Sequence, residues 1–277
     1  MRQIACFLIL IVLLQQSAQA APESRLWPVW LASAGTATLQ PDHSYWQQFL
    51  LRYLTKSRDG VNLLDYAAAA NERQELKRYL ANLQAIPVAK LTRPQQRAFW
   101  INLYNAATVE TVLEHYPVDS IRDIDTSPGL FADGPWDSKI LTVEGLELSL
   151  NDIEHRILRP IWKDNRLHYA LNCASLGCPN LQSQAFTASN TEALLEAAAG
   201  DYINHPRGAE VQRGKLRVSS IYKWYQVDFG DSEIGVIAHL KHYAKVPLLK
   251  QLEGIDDIEG YHYNWSLNDR KTAEKYQ

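Results

Sequence analysis

Cysteine is scarce in this chain: Cys6, Cys173 and Cys178 are the only three in 277 residues. A scaffold stapled by several disulfides is therefore excluded. So is a zinc site of the paired C-x2-C kind, because no second ligand pair stands at the usual spacing. Blocks of positive charge are absent too. Lys and Arg total 28 against 31 Asp and Glu, a net charge of −3, so neither nucleic acid nor an anionic membrane surface is expected as a partner. The longest apolar run, Ile4 to Leu14, is about half of the roughly twenty residues that a membrane-spanning helix needs. Repeats, low-complexity tracts and long Gly/Ser linkers are missing, which leaves one domain as the simplest organisation.

The short apolar run has an explanation of its own. Arg2, the run itself, and Ser17-Ala18-Gln19-Ala20 before Ala21-Pro22 are laid out as a secretory signal peptide, with cleavage expected after Ala20. The expected division is a signal peptide over 1–20, an N-terminal lead over 21–40, a single domain over 41–270 and a tail over 271–277. The expected location is periplasmic or secreted, with no membrane span once the signal has gone. Cys6 leaves with the peptide, and Cys173 and Cys178 remain where disulfides persist. Aromatic residues, in contrast, are plentiful: 8 Trp and 14 Tyr. They serve core packing or line a ligand cleft.

Hydrophobic periodicity and capping signals predict helices over His43–Thr55, Glu72–Leu83 behind an Asn71 cap, and Thr92–His115 with Pro94 in its first turn. Further helices are expected over Leu150–Leu158, capped by Ser149 with Asp152 three residues on, over Glu192–Ile203 and over Ile234–Tyr243. Extended segments are expected at Val61–Tyr66, Leu167–Cys173 and Tyr261–Leu267, with hairpins turning at Glu144-Gly145 and Arg213-Gly214. Short strands scattered among helices give an α+β class: a mainly helical single domain with short β-hairpins and a small antiparallel or mixed sheet.

Three stretches carry candidate chemistry. QQRAFWINLYNAATVETVLEHYP is apolar nearly all round, so its helix is expected to be buried. Asn102 and Asn105 then need partners, since an unpaired buried amide costs about 1–3 kcal/mol. They tie the helix to a loop, or they orient an imidazole or donate to an oxyanion. Tyr104 lies between them and counts as a ligand contact. In SLNDIEHRILRP, Glu154 and His155 flank the core stripe and His155 shares a face with Arg159. The His155–Arg159 pair is solvated or capping, or His155 is a general base or the orienter of a cysteine with Glu154 nearby.

The third stretch, HYALNCASLGCPNL, holds His168, Cys173 and Cys178. As a strand it points His168 and Cys173 to opposite faces, which suits His168 better to Cys178 or to a buried supporting role. The two cysteines read as a local disulfide, as a nucleophilic thiol served by a histidine, or as a redox pair. Trp224, Tyr225 and Asp228 form an aromatic cluster with an acid, while Asp228-Phe229-Gly230 lacks the glycine-rich and catalytic loops of a kinase. His239 and His242 read as a surface pair.

FWINLYNA (Phe99–Ala106), SLNDIEHRILR (Ser149–Arg159), HYALNCASLGCPNL (His168–Leu181), the Ile221–Gly230 stretch and YHYNWSLN (Tyr261–Asn268) together resemble the family called domain of unknown function 547. The resemblance covers roughly Gly60 to Asn268. The central family motif is similar to His-Phe-Ala-Leu-x-Cys, and some members carry serine at the second cysteine, which implies Cys173 as the reactive residue. Relatives that place the domain beside glutaredoxin-like or leucine-zipper segments imply redox or scaffold roles. The last motif usually reads Tyr-Asp-Trp-x-Leu-Asn, and here Asn264 replaces the acid.

The leading expectation is an exported thiol-dependent hydrolase or acyl transferase acting on a peptide or amide. Cys173 is the nucleophile, His155 or His168 the base, and Glu154, Asn102 or Asn105 the orienter, with Cys178, Tyr104, Trp224, Tyr225 and Asp228 contacting a small-molecule or peptide ligand. No metal and no cofactor is expected. The alternatives are a non-catalytic binding domain locked by a Cys173–Cys178 disulfide and a thiol redox protein.

Overall fold

The N-terminal lead is built into the core. In the structure, a computed structural model describing residues 23–129 and 133–271, a 3-10 turn over Pro28–Leu31 packs Trp30 edge-on against Trp100, ring centroids 5.0 Å apart. The backbone N–H groups of Arg25 and Trp27 donate to the carbonyls of His155 and Arg156. The expected signal peptide lies outside the described residues.

Helix α1 (Ser44–Tyr53) leads into an antiparallel pair, β1 (Leu54–Lys56) and β2 (Asn62–Leu64). A short α2 (Tyr66–Ala69) is capped by the Asp65 carboxylate, which accepts the Ala68 N–H. Then come α3 (Arg73–Gln84) and the long α4 (Arg93–His115). The expected Asn71 cap does not form: the N-cap residue of α3 is Glu72, which makes no side-chain cap, and Asn71 donates to the Ala68 carbonyl instead.

Helix α4 is buried continuously from Gln95 to Leu113, as its all-round apolar surface requires. A Thr92–Gln95 capping box and Pro94 start it. Burial favours pairing of its polar residues, although Trp100 Nε1 and one Glu110 carboxylate oxygen are buried without a partner. Gln96 donates to the carbonyls of Ala32 and Val88, and Arg97 is held by Asp164 and Glu192.

The hairpin β3 (Leu141–Val143) and β4 (Leu146–Leu148) turns at Glu144-Gly145 as expected. Ser149 and Asp152 then cap each other. Asp152–Leu158 is a π-helical stretch that continues as α5 (Arg159–Trp162). A π-helix is rare and frequents functional sites. Here the widened turn leaves Ile153, Glu154, His155, Ile157 and Leu158 all buried. The expectation of a solvated His155–Arg159 pair is thereby corrected.

The expected strand over Leu167–Cys173 is also corrected. Asn165–Tyr169 is a 3-10 turn, opened by Asp164 accepting the Arg166 N–H, and residues 167–172 are buried without alternation. With no strand, the opposed-face argument separating His168 from Cys173 lapses. Helix α6 (Thr191–Ile203) precedes β5 (Ala209–Gln212) and β6 (Lys215–Ser219). The rest comprises α7 (Ile221–Trp224), α8 (Glu233–Tyr243), α9 (Val246–Gln251) and β7 (Gly260–His262). β7 lies parallel to β6, which makes the three-stranded sheet mixed. The expected extended piece over Tyr261–Leu267 forms a strand only to His262 and later makes a single bridge from Leu267 to Ser175. The fold is α+β and mainly helical.

Two apolar clusters result. The larger gathers α1, α3, α4 and the π-helical stretch. The smaller gathers α6, β5, β6 and α8. Leu167, Ala170 and Leu171 belong to the first and Tyr169 to the second, so the segment carrying both cysteines runs along their seam. His239, expected at the surface, packs in the second cluster's aromatic group and bonds the Tyr169 hydroxyl at 2.7 Å.

Candidate functional site: two thiols beside an ionic cluster

The cysteine loop is mounted by amides. Asn105 on α4 donates to the Ala170 carbonyl and accepts the Asn172 N–H, both at 2.9 Å. Asn172 in turn accepts the Ala174 N–H at 2.9 Å and donates to the Pro179 carbonyl at 2.8 Å. Between them Ala174 takes φ +57°, a left-handed conformation unusual for a residue with a Cβ. Such a backbone persists where surrounding contacts over-determine it.

The C-terminal segment closes the loop from the other side. The N–H groups of Leu176 and Gly177 donate to the carbonyls of Ser266 and Asn264. A Cβ at Gly177 would stand 2.7 Å from the Asn264 nitrogen, so glycine is required for this close approach. Tyr202 donates to the Gly177 carbonyl, and Arg207 donates to the carbonyls of Leu176 and Cys178.

Both cysteines are free, with their sulfurs 3.0 Å apart. The expected local disulfide is not formed. Cys173 is half-buried and Cys178 buried. The Cys173 Sγ lies 3.0 Å from the Tyr263 hydroxyl and 3.4 Å from that of Ser175, and its N–H donates to the Cys178 sulfur. Burial opposes ionisation of Cys173, but hydrogen bonds with Cys178, Ser175 and Tyr263 outweigh it and hold the thiol below its ordinary value. Burial and the neighbouring Cys173 push Cys178 well above its own. The two thiols thus differ: the half-buried one ionises more readily than the buried one.

A second cluster adjoins them. His168 stacks on Tyr225, ring centroids 4.1 Å apart, and its Nε2 bonds Asp228 at 2.7 Å. Its Nδ1 faces Glu154 at 3.7 Å. Arg159 donates to Asp228 at 2.7 Å and to His155 Nδ1 at 3.0 Å. Burial opposes the Asp228 charge, yet His168 and Arg159 lower its pKa to about 2. Burial lowers His155 to about 4, which keeps its Nδ1 available to accept from Arg159. Tyr104 reaches Glu154 at 3.3 Å. Tyr225 is raised by burial and then by Glu154.

Cys173, Cys178, Glu154, His155, His168, Tyr104, Tyr225 and Asp228 are therefore brought together. The hydrogen-bond partners of the Cys173 sulfur are Cys178, Ser175 and Tyr263, with no imidazole among them. Asn102 stands apart, its amide committed to both backbone groups of Phe186, and Asn105 shapes the loop without touching a sulfur. Trp224 packs on Tyr263 at 4.8 Å. Sequence reasoning missed Ser175, Tyr263 and Arg207. Tyr263 lies inside the YHYNWSLN motif, a signal left unused, whereas nothing around Arg207 marked it. Among the described residues no group of three or more His, Cys, Asp and Glu side chains is arranged to hold a metal ion.

Residues 88–203 match the model of a family described as a protein of unknown function, DUF547. The match is narrower than the Gly60–Asn268 resemblance. It contains Asn102, Asn105, Glu154, His168 and both cysteines, and it leaves out Tyr225, Asp228 and Tyr263. No curated protein and no solved structure is significantly similar to the chain.

Proposed function

We propose that the chain is an exported dithiol protein that exchanges disulfides with its substrate, Cys173 attacking and Cys178 resolving. The observation that carries this reading is the asymmetry of two unbonded sulfurs 3.0 Å apart. The half-buried one is held down by its hydrogen bonds with Cys178 and two neighbouring hydroxyls, and the buried one is held up. The signal-peptide layout of residues 1–20 supports an oxidising compartment, where such exchange has substrates.

In the first step the Cys173 thiolate attacks one sulfur of a substrate disulfide. A mixed disulfide forms and a substrate thiolate leaves, taking a proton from water. In the second step Cys178 loses its proton and attacks the Cys173 sulfur, which releases the second substrate thiol and leaves a Cys173–Cys178 disulfide. The substrate gains two electrons and two protons, the protein gives them up, and an external thiol reductant restores the dithiol.

The test uses reduced protein and bis(2-hydroxyethyl) disulfide. The wild type should release two thiols per chain and gain an internal disulfide. Cys178→Ser should stop at the mixed disulfide after one, and Cys173→Ser should release none on the same timescale. Two thiols from Cys178→Ser, or wild-type speed from Cys173→Ser, would overturn the reading.

A second reading, thiol-dependent acyl transfer or amide hydrolysis, is favoured by the proximity of Glu154 and Tyr225 to Cys173 and their link to His168. Its signature is an acyl group trapped on Cys173 from an activated ester, with turnover retained in Cys178→Ser. Reaction with neither substrate would favour a non-catalytic binding domain.

A further inference from the structure

Four half-buried aromatic rings continue outward from the sulfur. Tyr263, whose hydroxyl lies 3.0 Å from the Cys173 Sγ, packs on Trp265 at 4.6 Å and on Trp224 at 4.8 Å. Trp265 in turn meets Trp224 at 5.6 Å and Trp136 at 5.7 Å. The rings come from three separate stretches: ahead of β3, from α7, and just after β7. Trp30, Trp46 and Trp100, by comparison, are 0–2 % exposed and belong to the core. Among the described residues the only cation stacked on this group is Arg122, over Trp265 at 5.4 Å, and it is already paired with Asp133.

We infer that this row of rings is a substrate subsite for an extended, cysteine-containing polypeptide whose disulfide is presented to Cys173. The inference rests on the exchange reading and names its substrate. Three features select this occupant. The row starts at the attacking sulfur, so whatever lies on it carries the reacting bond, and among biological polymers the polypeptide is the one that carries cystine. The rings tilt against one another by 31–66°, a corrugated surface that a flat polycyclic ligand cannot cover and that alternating side chains of an extended chain can. Partly exposed Trp and Tyr side chains give large contact area at low entropic cost, which is why they dominate recognition hot spots. Aromatic or proline residues flanking the substrate cysteine are the expected complement.

The test compares two ten-residue peptides, each a mixed disulfide with glutathione. In one the cysteine is flanked by Trp and Pro, in the other by Gly and Ser. The wild-type dithiol should react at least about 10-fold faster with the first, and in Trp265→Ala that ratio should fall to about 1, with Trp265→Phe recovering most of it. Trp136→Ala, at the far end of the row, should cut the ratio to about one half and serves if Trp265→Ala does not fold. Equal rates with the two peptides in the wild type would overturn the subsite. So would an unchanged ratio in both Trp265→Ala and Trp136→Ala, or quenching of the exposed Trp fluorescence by a soluble glycan rather than by the aromatic peptide. Failure of the wild type to react with bis(2-hydroxyethyl) disulfide would instead overturn the exchange reading itself.

Discussion

The two halves of the candidate site differ in kind. Around the sulfurs the partners are neutral hydroxyls and a second thiol. Around His168 they are a guanidinium and two carboxylates. Neutral donors stabilise a thiolate without fixing a counter-charge beside it, so the sulfur can pass between thiol, thiolate and disulfide. The ionic half is satisfied internally: each charge already has an opposite or a ring nitrogen against it. A buried ion cluster of this type fixes geometry more than it adds stability. On the proposed reading the chemistry belongs to the first half, and the second positions Tyr225 and the π-helical turn.

The sharpest way to break that division is through the thiols. With iodoacetamide at pH 7, one thiol should be alkylated roughly 100-fold faster than the other, and Cys173→Ser should remove the fast phase entirely. Two equal rates would dissolve the asymmetry on which the functional reading rests.

Acid should strike the ionic half first. His155 is kept neutral in the fold with a pKa of about 4, whereas the unfolded chain takes up a proton near pH 6.5. The depressed folded value gives stability that is complete above about pH 6.5 and lost as the pH falls toward 4, on the order of 3 kcal/mol. Asp228, at about 2, adds a lower window in which stability falls between about pH 4 and 2. Denaturant midpoints against pH should therefore drop in two stages, and His155→Gln should flatten the upper one. His43 and His239, also lowered by burial to about 4, supply the part of that upper stage left in the variant.

Asp228→Asn should cost about 3 kcal/mol in a urea melt, because it removes a carboxylate held between Arg159 and His168. If it also moved the Cys173 alkylation midpoint by a full pH unit, the two halves would have to be treated as one. Glu154→Gln is a finer probe. The Glu154 charge opposes ionisation of Cys173, so its removal should shift the alkylation midpoint to lower pH by about half a unit. A slower reaction at constant midpoint would mark Glu154 as a base instead. Smallest of all, Asn264→Asp should change stability by less than about 0.5 kcal/mol, since Asn264 is exposed and its side-chain oxygen accepts the Ser266 N–H, which a carboxylate can also accept.

Much of the frame was legible in the sequence. The Thr92 start of α4, the Ser149–Asp152 cap and both Gly-containing hairpin turns rest on local rules, and all formed where those rules place them. The need of Asn102 and Asn105 for buried partners was legible as well, though which backbone groups supply them was not. The failures have a tertiary cause. Leu167-His168-Tyr169-Ala170-Leu171 alternates like a strand, yet Asp164, gripped by Arg97 and Arg166, turns the chain into a 3-10 helix and both sides of it are buried. The π-helical widening that buries Glu154 and His155 together has no local signature. Nor does the approach of Tyr263 to Cys173, because periodicity says nothing about contacts between distant segments.

Tyr263 stands 90 positions beyond the sulfur it flanks, and Gly177 admits its segment only by direct backbone-on-backbone seating. Of the groups that hold the Cys173 thiol down, Cys178 and Ser175 stand in the same loop, and Tyr263 adds its share only where its distant segment is seated. Part of the sulfur's ionisability is therefore tied to completion of the fold.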